Sequence, residues 1–315
     1  PDRLKDETMD RRTLIAATGG LMASALIANT SDASEAMIIR YEAMPSRYTA
    51  ARNVSVWLPA DYGKSNRRYP VLYMHDGQNI FGASHAYGGQ SWRVDLAMEA
   101  RQRAVAGSDA IVVGIWNTST RRQDFSPAGV EAAMDDKLRA RTAAEHEGPA
   151  LSDGYLRFLV EELKPMIDRD YRTKPGKAST FIMGSSMGGL ISLYGICEYP
   201  KVFGGAGCLS THWTLLSAAE SYSKPDLETP AMIQAFATYL KRKLPKAGQN
   251  KIWMDHGTIN LDSFYQPYQL AMDQVFQDLG WQQGKDFESR VYEGADHNEA
   301  SWRARLQDPL TFLMG

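Results

Sequence analysis

Short apolar runs alternate with amphipathic stretches along the chain from residue 37 onward. The nearly continuous apolar run at 69–75 is typical of a strand buried on both faces, and 109–116 is predicted as a second buried strand. Further strands are predicted at 179–184, 204–210, 251–257 and 288–294. Stretches with helical spacing separate them at 91–104, 153–169, 187–198, 230–243 and 264–278. This alternation predicts an α/β fold whose mostly parallel central sheet carries helices on both faces.

The chain departs from this alternation in two places, at its start and after the strand predicted at 109–116. Two β-rich runs at 38–43 and 53–58, with Pro45 between them, predict an antiparallel start to the sheet. The stretch 117–152 is long and charged and follows a predicted strand, so it is expected to be either a lid or binding loop or a solvated decoration. Residues 37–315 are therefore predicted to form one domain with a variable insertion at about 117–152.

Residues 1–36 form an N-terminal extension with a different pattern. Arg11 and Arg12 precede an apolar run at 14–28, and small residues ending at Ala36 are spaced as in a signal peptidase site. The run is shorter than the roughly 20 residues that span a bilayer, and with its arginine pair it resembles a twin-arginine export signal. We expect a periplasmic or secreted protein, or a cytoplasmic one if the segment is an attached amphipathic helix.

Composition narrows the class of protein further. The 315 residues are 43% apolar, and 35 Lys and Arg against 37 Asp and Glu give a net charge of −2, which excludes the basic surface of a generic nucleic-acid binder. Two cysteines exclude a disulfide scaffold, and Cys197 and Cys208 are expected to be buried free thiols, with one bridge as the alternative. No metal-ligand spacing or cofactor fingerprint occurs, so neither a metal nor a cofactor is expected.

The most specific motif is GSSMGG at 184–189, which lies between a predicted strand and a predicted helix. The pattern G-x-S-x-G places its middle serine, Ser186, on a sharp strand-to-helix turn, where a hydroxyl can act as a nucleophile. The backbone N–H of Met187, which follows it, is expected to donate to an oxyanion. The second donor is expected in HDGQNIF at 75–81, where Gln78 is preferred and Gly77 comes next.

A nucleophilic serine needs a histidine base and an acid, which follow the serine in this chain order. His212, His256 and His297 follow Ser186, and His297 is preferred because it lies in the loop after the last predicted strand. For the acid, Asp262 lies in the loop after the strand at 251–257 and is preferred over Asp255, which is within that strand. Asp296 is too close in sequence to His297 to orient its ring easily.

Four further residues are candidates for contact with a substrate. Arg121 and Arg122 follow a predicted strand on the side where the active site is expected, and they could bind a carboxylate or a catecholate. Trp213, with Trp92, could form an aromatic wall for a phenolic acyl group, although packing in the core explains these residues equally well.

Seven stretches together resemble the esterase D and enterochelin-esterase-like branch of the α/β-hydrolases: YPVLYMHDGQNIF, IVVGIWNTSTRRQDFSP, FLVEELKPMIDRDYRT, FIMGSSMGGLISLYG, FGGAGCLSTHW, MDHGTINLD and GADHNEASWRARL. The resemblance implies an α/β-hydrolase fold and assigns the catalytic roles to Ser186, Asp262 and His297. That branch includes siderophore esterases, feruloyl and acetyl-xylan esterases, S-formylglutathione hydrolases and mycolyltransferases. It therefore implies acyl-ester chemistry without naming one substrate.

The leading hypothesis is a serine esterase that hydrolyses a siderophore ester or a carbohydrate-linked acyl ester through an acyl-enzyme. Acyl transfer to a sugar or alcohol uses the same turn and is the enzymatic alternative, and a catalytically silent binding module is the non-enzymatic one. The expected partner is a small-molecule or glycan-linked ester, with no nucleic acid and no membrane span in the domain. The oligomeric state stays open.

Overall fold

The computed structural model describes residues 37–64, 66–216 and 225–315. Eight strands form one sheet: β1 Met37–Met44, β2 Arg52–Leu58, β3 Val71–His75, β4 Ile111–Ile115, β5 Thr180–Ser185, β6 Gly205–Leu209, β7 Lys251–Gly257 and β8 Phe287–Tyr292. Their order is β1-β2-β4-β3-β5-β6-β7-β8. β2 runs antiparallel to β1 and β4, whereas all other neighbours are parallel. The predicted α/β class and the antiparallel start are confirmed.

In the described residues the helices are α1 Val94–Ala104, α2 Arg121–Phe125, α3 Ala128–Glu131, α4 Asp136–Glu145, α5 Ser152–Arg157, α6 Lys164–Asp170, α7 Met187–Glu198, α8 Pro225–Lys243, α9 Gln266–Asp278, α10 Glu299–Arg305 and α11 Gln307–Met314. Of these, α1, α7, α8 and α9 fall where the apolar spacing predicts a helix. A π-helical segment, Phe158–Leu163, separates α5 from α6 within the stretch predicted as one helix. Pro165 lies two residues after this segment, and its ring nitrogen has no proton to donate to a helical hydrogen bond.

Successive residues of the central strands pack into two separate cores, one on each face of the sheet. Val71 and Tyr73 of β3 pack in the core that contains Leu190 of α7. Leu72 and Met74 pack in the other core, with apolar side chains of α1 and α11. Burial on both faces explains why β3 to β7 appear in the sequence as continuous apolar runs.

The insertion at 117–152 is folded rather than loop-like. It contains α2, α3 and α4, and Phe125, Val130 and Leu138 from these helices are buried in the same core as α7. Asp124 in α2 is also fully buried, where it pairs with Arg52 at 3.1 Å. The expectation of a solvated decoration is therefore wrong, because buried side chains of this segment pack on one face of the sheet. The alternative expectation, a lid or binding loop, stays a prediction.

Cys197 and Cys208 are free and buried, as predicted, one on α7 and the other on β6. The export signal predicted within residues 1–36 lies outside the described residues. No helix in the described part of the chain is long and apolar enough to cross a membrane.

Candidate active site

Ser186 lies on the sharp turn that joins β5 to α7, with φ 57° and ψ −126°. A non-glycine residue in this region is strained by about 1–3 kcal/mol. The turn is fixed because the Ser186 N–H donates to the Leu209 carbonyl at 2.9 Å, while its own carbonyl accepts from the His212 N–H at 3.2 Å. A Cβ on Gly184 would lie 2.8 Å from the backbone of Gly188, so this close turn requires glycine.

His297 and Asp262 are in direct contact beside the carboxyl ends of β7 and β8. The His297 Nδ1 lies 2.6 Å from the Asp262 Oδ1. Asp262 is fully buried in the short 3₁₀ turn Asn260–Phe264, and its Oδ2 accepts from the Gly257 N–H at 2.6 Å and the Ser210 hydroxyl at 2.5 Å. The two residues that the sequence selected as base and acid are therefore brought together.

The electrostatics of this pair fix how the imidazole is oriented. Burial opposes ionisation of Asp262, but the hydrogen bond and charge of His297, with the donors Ser210 and Gly257, hold the pKa of its carboxyl below its ordinary value. An ionised carboxylate only accepts hydrogen bonds, so Nδ1 of His297 carries a proton, and in the neutral imidazole Nε2 is then the nitrogen with the lone pair. Trp302 packs edge-on against the imidazole, with ring centroids 5.1 Å apart.

Asp255 occupies a different environment. It is fully buried, and its carboxylate accepts from the Arg305 guanidinium at 2.8 Å, the Ser210 N–H at 3.1 Å and the Trp253 indole at 2.7 Å. Burial raises the pKa of this carboxyl despite the Arg305 charge. These contacts direct Asp255 toward α10, while Asp262 contacts His297.

The other two histidines that follow the nucleophile have structural contacts. His212 Nδ1 lies 2.7 Å from the Tyr265 hydroxyl, and burial lowers the pKa of His212 to about 3. His256 Nδ1 lies 2.6 Å from the Gly257 carbonyl. Both side chains are buried, whereas the His297 side chain keeps 13% of its surface exposed. A base that must reach a substrate needs that access.

The two loops selected for the oxyanion hole approach each other. Met187 is the first residue of α7, and Gln78 lies in the 3₁₀ turn Gly77–Asn79 directly after β3. A Cβ on Gly188 would lie 3.4 Å from the His75 Cβ, so the start of α7 and the end of β3 are in contact. Both predicted donors thus lie at the same edge of the sheet as Ser186, and their role stays a prediction.

Arg121 is held by an aspartate at the end of β3. Its Nε and Nη2 donate to the two carboxylate oxygens of Asp76, each at 2.7 Å, and the Asn117 amide adds a bond of 2.6 Å. Burial acts against the charge on Asp76, yet Arg121 and Asn117 keep the pKa of its carboxyl below its ordinary value. Arg122 is exposed and donates to the Glu145 carbonyl at 3.2 Å. The structure thereby separates the two arginines that the sequence grouped.

Trp213 belongs to the core. Its side chain is fully buried, its ring packs edge-on against Phe236 with centroids 5.2 Å apart, and its indole N–H donates to Gln269 at 3.1 Å. Trp92 is also buried, against Trp302. The predicted aromatic wall is therefore wrong, because neither ring presents a face to a substrate.

Residues around Asp262 that the sequence reading missed complete the site. The Ser210 hydroxyl, which bonds to Asp262, also accepts from Trp302 at 2.9 Å and Arg305 at 2.7 Å. Two signals could have found them: Ser210 is a polar residue directly after a buried strand, and Trp302 and Arg305 are spaced i, i+3 on one helix face. Among the described residues, no group of three or more His, Cys, Asp or Glu side chains is placed to hold a metal ion.

The sheet order, the strained serine after a central parallel strand and a histidine–aspartate pair after the last strands define the α/β-hydrolase class. The family profile described as "Putative esterase" matches residues 46–313. The chain therefore belongs to this esterase family, and its resemblance to the enterochelin-esterase-like branch is confirmed.

Individual relatives share 30% identity or less with this chain over the regions that match. Ferri-bacillibactin esterase BesA of Bacillus subtilis is 30% identical over 154 residues, which cover 46% of this chain and 49% of that protein. An endo-1,4-β-xylanase/feruloyl esterase of Xylanibacter ruminicola is 24% identical over 58% of this chain and 22% of its own length. The chain thus spans about half or less of these two relatives. The crystal structure of an IroE-like serine hydrolase from Shewanella oneidensis superimposes with a TM-score of 0.61 at 21% identity, over 89% of this chain and 80% of the other.

Proposed function

We propose that the protein is a serine carboxylic-ester hydrolase that acts through an acyl-enzyme. The observation that supports this most directly is the 2.6 Å contact between His297 Nδ1 and Asp262 Oδ1. The turn that carries Ser186 is tied to this pair, because the Ser186 N–H donates to the Leu209 carbonyl and the next residue, Ser210, donates to Asp262. An imidazole held with its Nε2 lone pair free is the base that a serine hydroxyl requires.

In the first half of the reaction, the Ser186 Oγ attacks the ester carbonyl carbon while its proton moves to the Nε2 of His297. The carbonyl oxygen becomes an oxyanion, which the backbone N–H groups of Met187 and Gln78 stabilise. The imidazolium, paired with Asp262, then protonates the leaving alcohol oxygen as the carbon–oxygen bond breaks. The acyl group remains on Ser186 as an ester.

In the second half, water takes the place of the alcohol. His297 removes a proton from the water as its oxygen attacks the acyl carbon, and the same proton returns to the Ser186 Oγ when the acid departs. Asp262 stays ionised throughout and balances the imidazolium charge, in agreement with the low pKa of its carboxyl.

The proposed substrates are catecholate siderophore esters and feruloyl-type esters linked to carbohydrate. The names of the two curated relatives support these classes, since one is a ferri-bacillibactin esterase and the other a feruloyl esterase. Both acyl groups carry a phenolic ring. Because Nε and Nη2 of Arg121 are bound to Asp76, a contact with the phenolic oxygens would come from Nη1.

The direct test compares Ser186→Ala with Ser185→Ala, its neighbour on β5. Hydrolysis of acetyl, feruloyl and catecholate-siderophore esters is measured for each, together with covalent labelling by a fluorophosphonate. We expect Ser186→Ala to lose about 10⁴-fold in kcat and all labelling, because it removes the nucleophile. Ser185→Ala should retain both.

Retention of more than about a tenth of the wild-type kcat by folded Ser186→Ala protein would exclude the proposed nucleophile. Added sugar or alcohol acceptors distinguish hydrolysis from acyl transfer. If transfer product forms at the expense of free acid in dilute acceptor, the protein is an acyltransferase.

A further inference from the structure

The Ser210 hydroxyl lies at the centre of a buried polar cluster behind the Asp262–His297 pair. Its oxygen is 2.5 Å from the Asp262 Oδ2, 2.9 Å from the Trp302 Nε1 and 2.7 Å from the Arg305 Nη2. Ser210 is fully buried, and Trp302 and Arg305 are each 5% exposed. These three contacts therefore exclude solvent from one side of the Asp262 carboxylate.

The direction of each hydrogen bond in the cluster follows from the chemistry of the groups. A serine hydroxyl has one proton to donate and two lone pairs to accept with. An indole N–H and a guanidinium only donate, so Trp302 and Arg305 occupy both lone pairs of the Ser210 oxygen. The one hydroxyl proton is left to point at the remaining neighbour, which is Asp262.

We propose that Ser210 is a positioning residue for ester hydrolysis, whose hydroxyl proton is directed onto the Asp262 Oδ2 by Trp302 and Arg305. With Ser210 and the Gly257 N–H both donating to Oδ2, the other oxygen, Oδ1, is the one left for His297. The cluster thereby selects which carboxylate oxygen meets the imidazole. This inference rests on the proposed function.

The backbone at Ser210 allows the hydroxyl to be removed in two ways that differ in strain. Its φ is 41°, a left-handed conformation that alanine tolerates poorly and glycine adopts freely. Ser210→Ala and Ser210→Gly delete the same hydrogen bond, but Ser210→Gly should be the more stable of the two in this conformation. A catalytic effect that is equal in both variants then comes from the hydroxyl and not from lost stability.

The first measurement is kcat and KM for acetyl and feruloyl esters, with thermal unfolding recorded for each variant. We expect both Ser210 variants to lose about 10- to 100-fold in kcat, the range found when hydrogen-bond partners behind metal ligands are removed. KM should stay within about twofold, since the fully buried Ser210 touches no substrate.

The second measurement is a double-mutant cycle between Ser210→Ala and Trp302→Phe. Phenylalanine keeps an aromatic ring against His297 but removes the indole donor. If Trp302 acts through the hydroxyl, Trp302→Phe should lower kcat about 10-fold in the wild type and about twofold or less in the Ser210→Ala background. Trp92→Phe, a buried tryptophan that packs on Trp302 with ring centroids 5.5 Å apart, controls for lost packing and should keep the wild-type kcat.

Wild-type kcat in folded Ser210→Ala and Ser210→Gly would overturn the inference, as would fully additive losses in the cycle. The inference would also be overturned if the kcat of the two Ser210 variants decreased in parallel with their unfolding temperatures. If Ser210→Ala fails to fold, Ser210→Gly decides alone, because glycine relieves the strain. The proposed function fails separately, on an active Ser186→Ala protein. An inactive Ser186→Ala beside fully active Ser210 variants removes only this inference.

Discussion

Replacing Asp262 with asparagine changes the site by one atom and one charge. In the native site, Oδ2 accepts from the Gly257 N–H at 2.6 Å and the Ser210 hydroxyl at 2.5 Å, while Oδ1 accepts from His297 Nδ1. An asparagine side chain has one accepting oxygen and one amino group that only donates. The asparagine oxygen accepts from the Gly257 N–H and the Ser210 hydroxyl in the place of Oδ2, so the amino group of the asparagine faces Nδ1 of His297.

The expected consequence is a change of tautomer. An Nδ1 that faces an amino group must accept, so the imidazole proton moves to Nε2, the atom that should take the proton from the nucleophile. A wrong tautomer of this kind costs about 10⁴-fold in kcat at neutral pH, or about 5.5 kcal/mol of activation free energy. KM should change little, because Asp262 is fully buried and cannot touch a substrate.

The assay measures kcat and KM for a small acetyl ester near neutral pH, with two comparison variants. Asp262→Ala leaves the tautomer unconstrained and should retain at least as much kcat as Asp262→Asn. Asp255→Asn removes a charge beside Arg305 and should lower the unfolding temperature while keeping kcat within about tenfold of wild type. An Asp262→Asn protein that keeps more than a tenth of the wild-type kcat would refute the proposed change of tautomer, as would an Asp255→Asn protein that loses more kcat than Asp262→Asn.

Three further predictions test other parts of the molecule. His297→Ala should lower kcat nearly as much as Ser186→Ala does, and the variant with both changes should have a kcat little lower than either single variant. A His256→Ala protein with a larger loss of kcat than His297→Ala would identify a different base. Arg121→Ala should lower kcat/KM for catecholate esters about 10-fold or more beyond its effect on acetyl esters, whereas Arg122→Ala, the exposed control, should not; equal losses on both esters would exclude a role in specificity. Burial lowers the pKa of His75 to about 3, whereas a histidine in the unfolded chain has a pKa near 6.5. Between these two pH values only the unfolded chain binds this proton. As the pH is lowered from about 6.5, the free energy of unfolding should therefore decrease by about 1.4 kcal/mol per pH unit because of His75, and His75→Gln should reduce that slope in urea titrations.

Much of the fold could be predicted because its signals are local. A strand buried on both faces is a continuous apolar run, and helix α7, Met187–Glu198, begins and ends where its glycines and Pro200 indicate. Ser186, Asp262 and His297 could be selected for a related reason. Each follows a strand, and the carboxyl ends of parallel strands meet at one edge of a sheet.

The parts that could not be predicted depend on contacts between distant residues. Short helices such as α3, Ala128–Glu131, are too short for helical periodicity to appear, so 117–152 looked like a charged loop. The partner of Arg121 lies 45 residues away at Asp76, and Arg305 lies 95 residues from Ser210. A tryptophan such as Trp213 has the same local pattern on a pocket wall as in a core, and only its tertiary neighbours distinguish the two.

Two buried ion pairs lie near the edge of the sheet formed by the carboxyl ends of its parallel strands, and they affect the interpretation of substitutions there. Arg52 pairs with Asp124, and Arg305 pairs with Asp255, all with side chains at most 3% exposed. Removing one partner of such a pair leaves an uncompensated charge and costs about 3–5 kcal/mol, a large share of a typical domain's stability. Fixed charges also hold hydrogen-bond donors in place before charge develops on a substrate. Lost activity at these positions therefore identifies no catalytic residue by itself, because unfolding and misplaced donors both reduce turnover. A loss of kcat with an unchanged unfolding temperature and KM separates a residue that positions Asp262 from one that only keeps this edge folded.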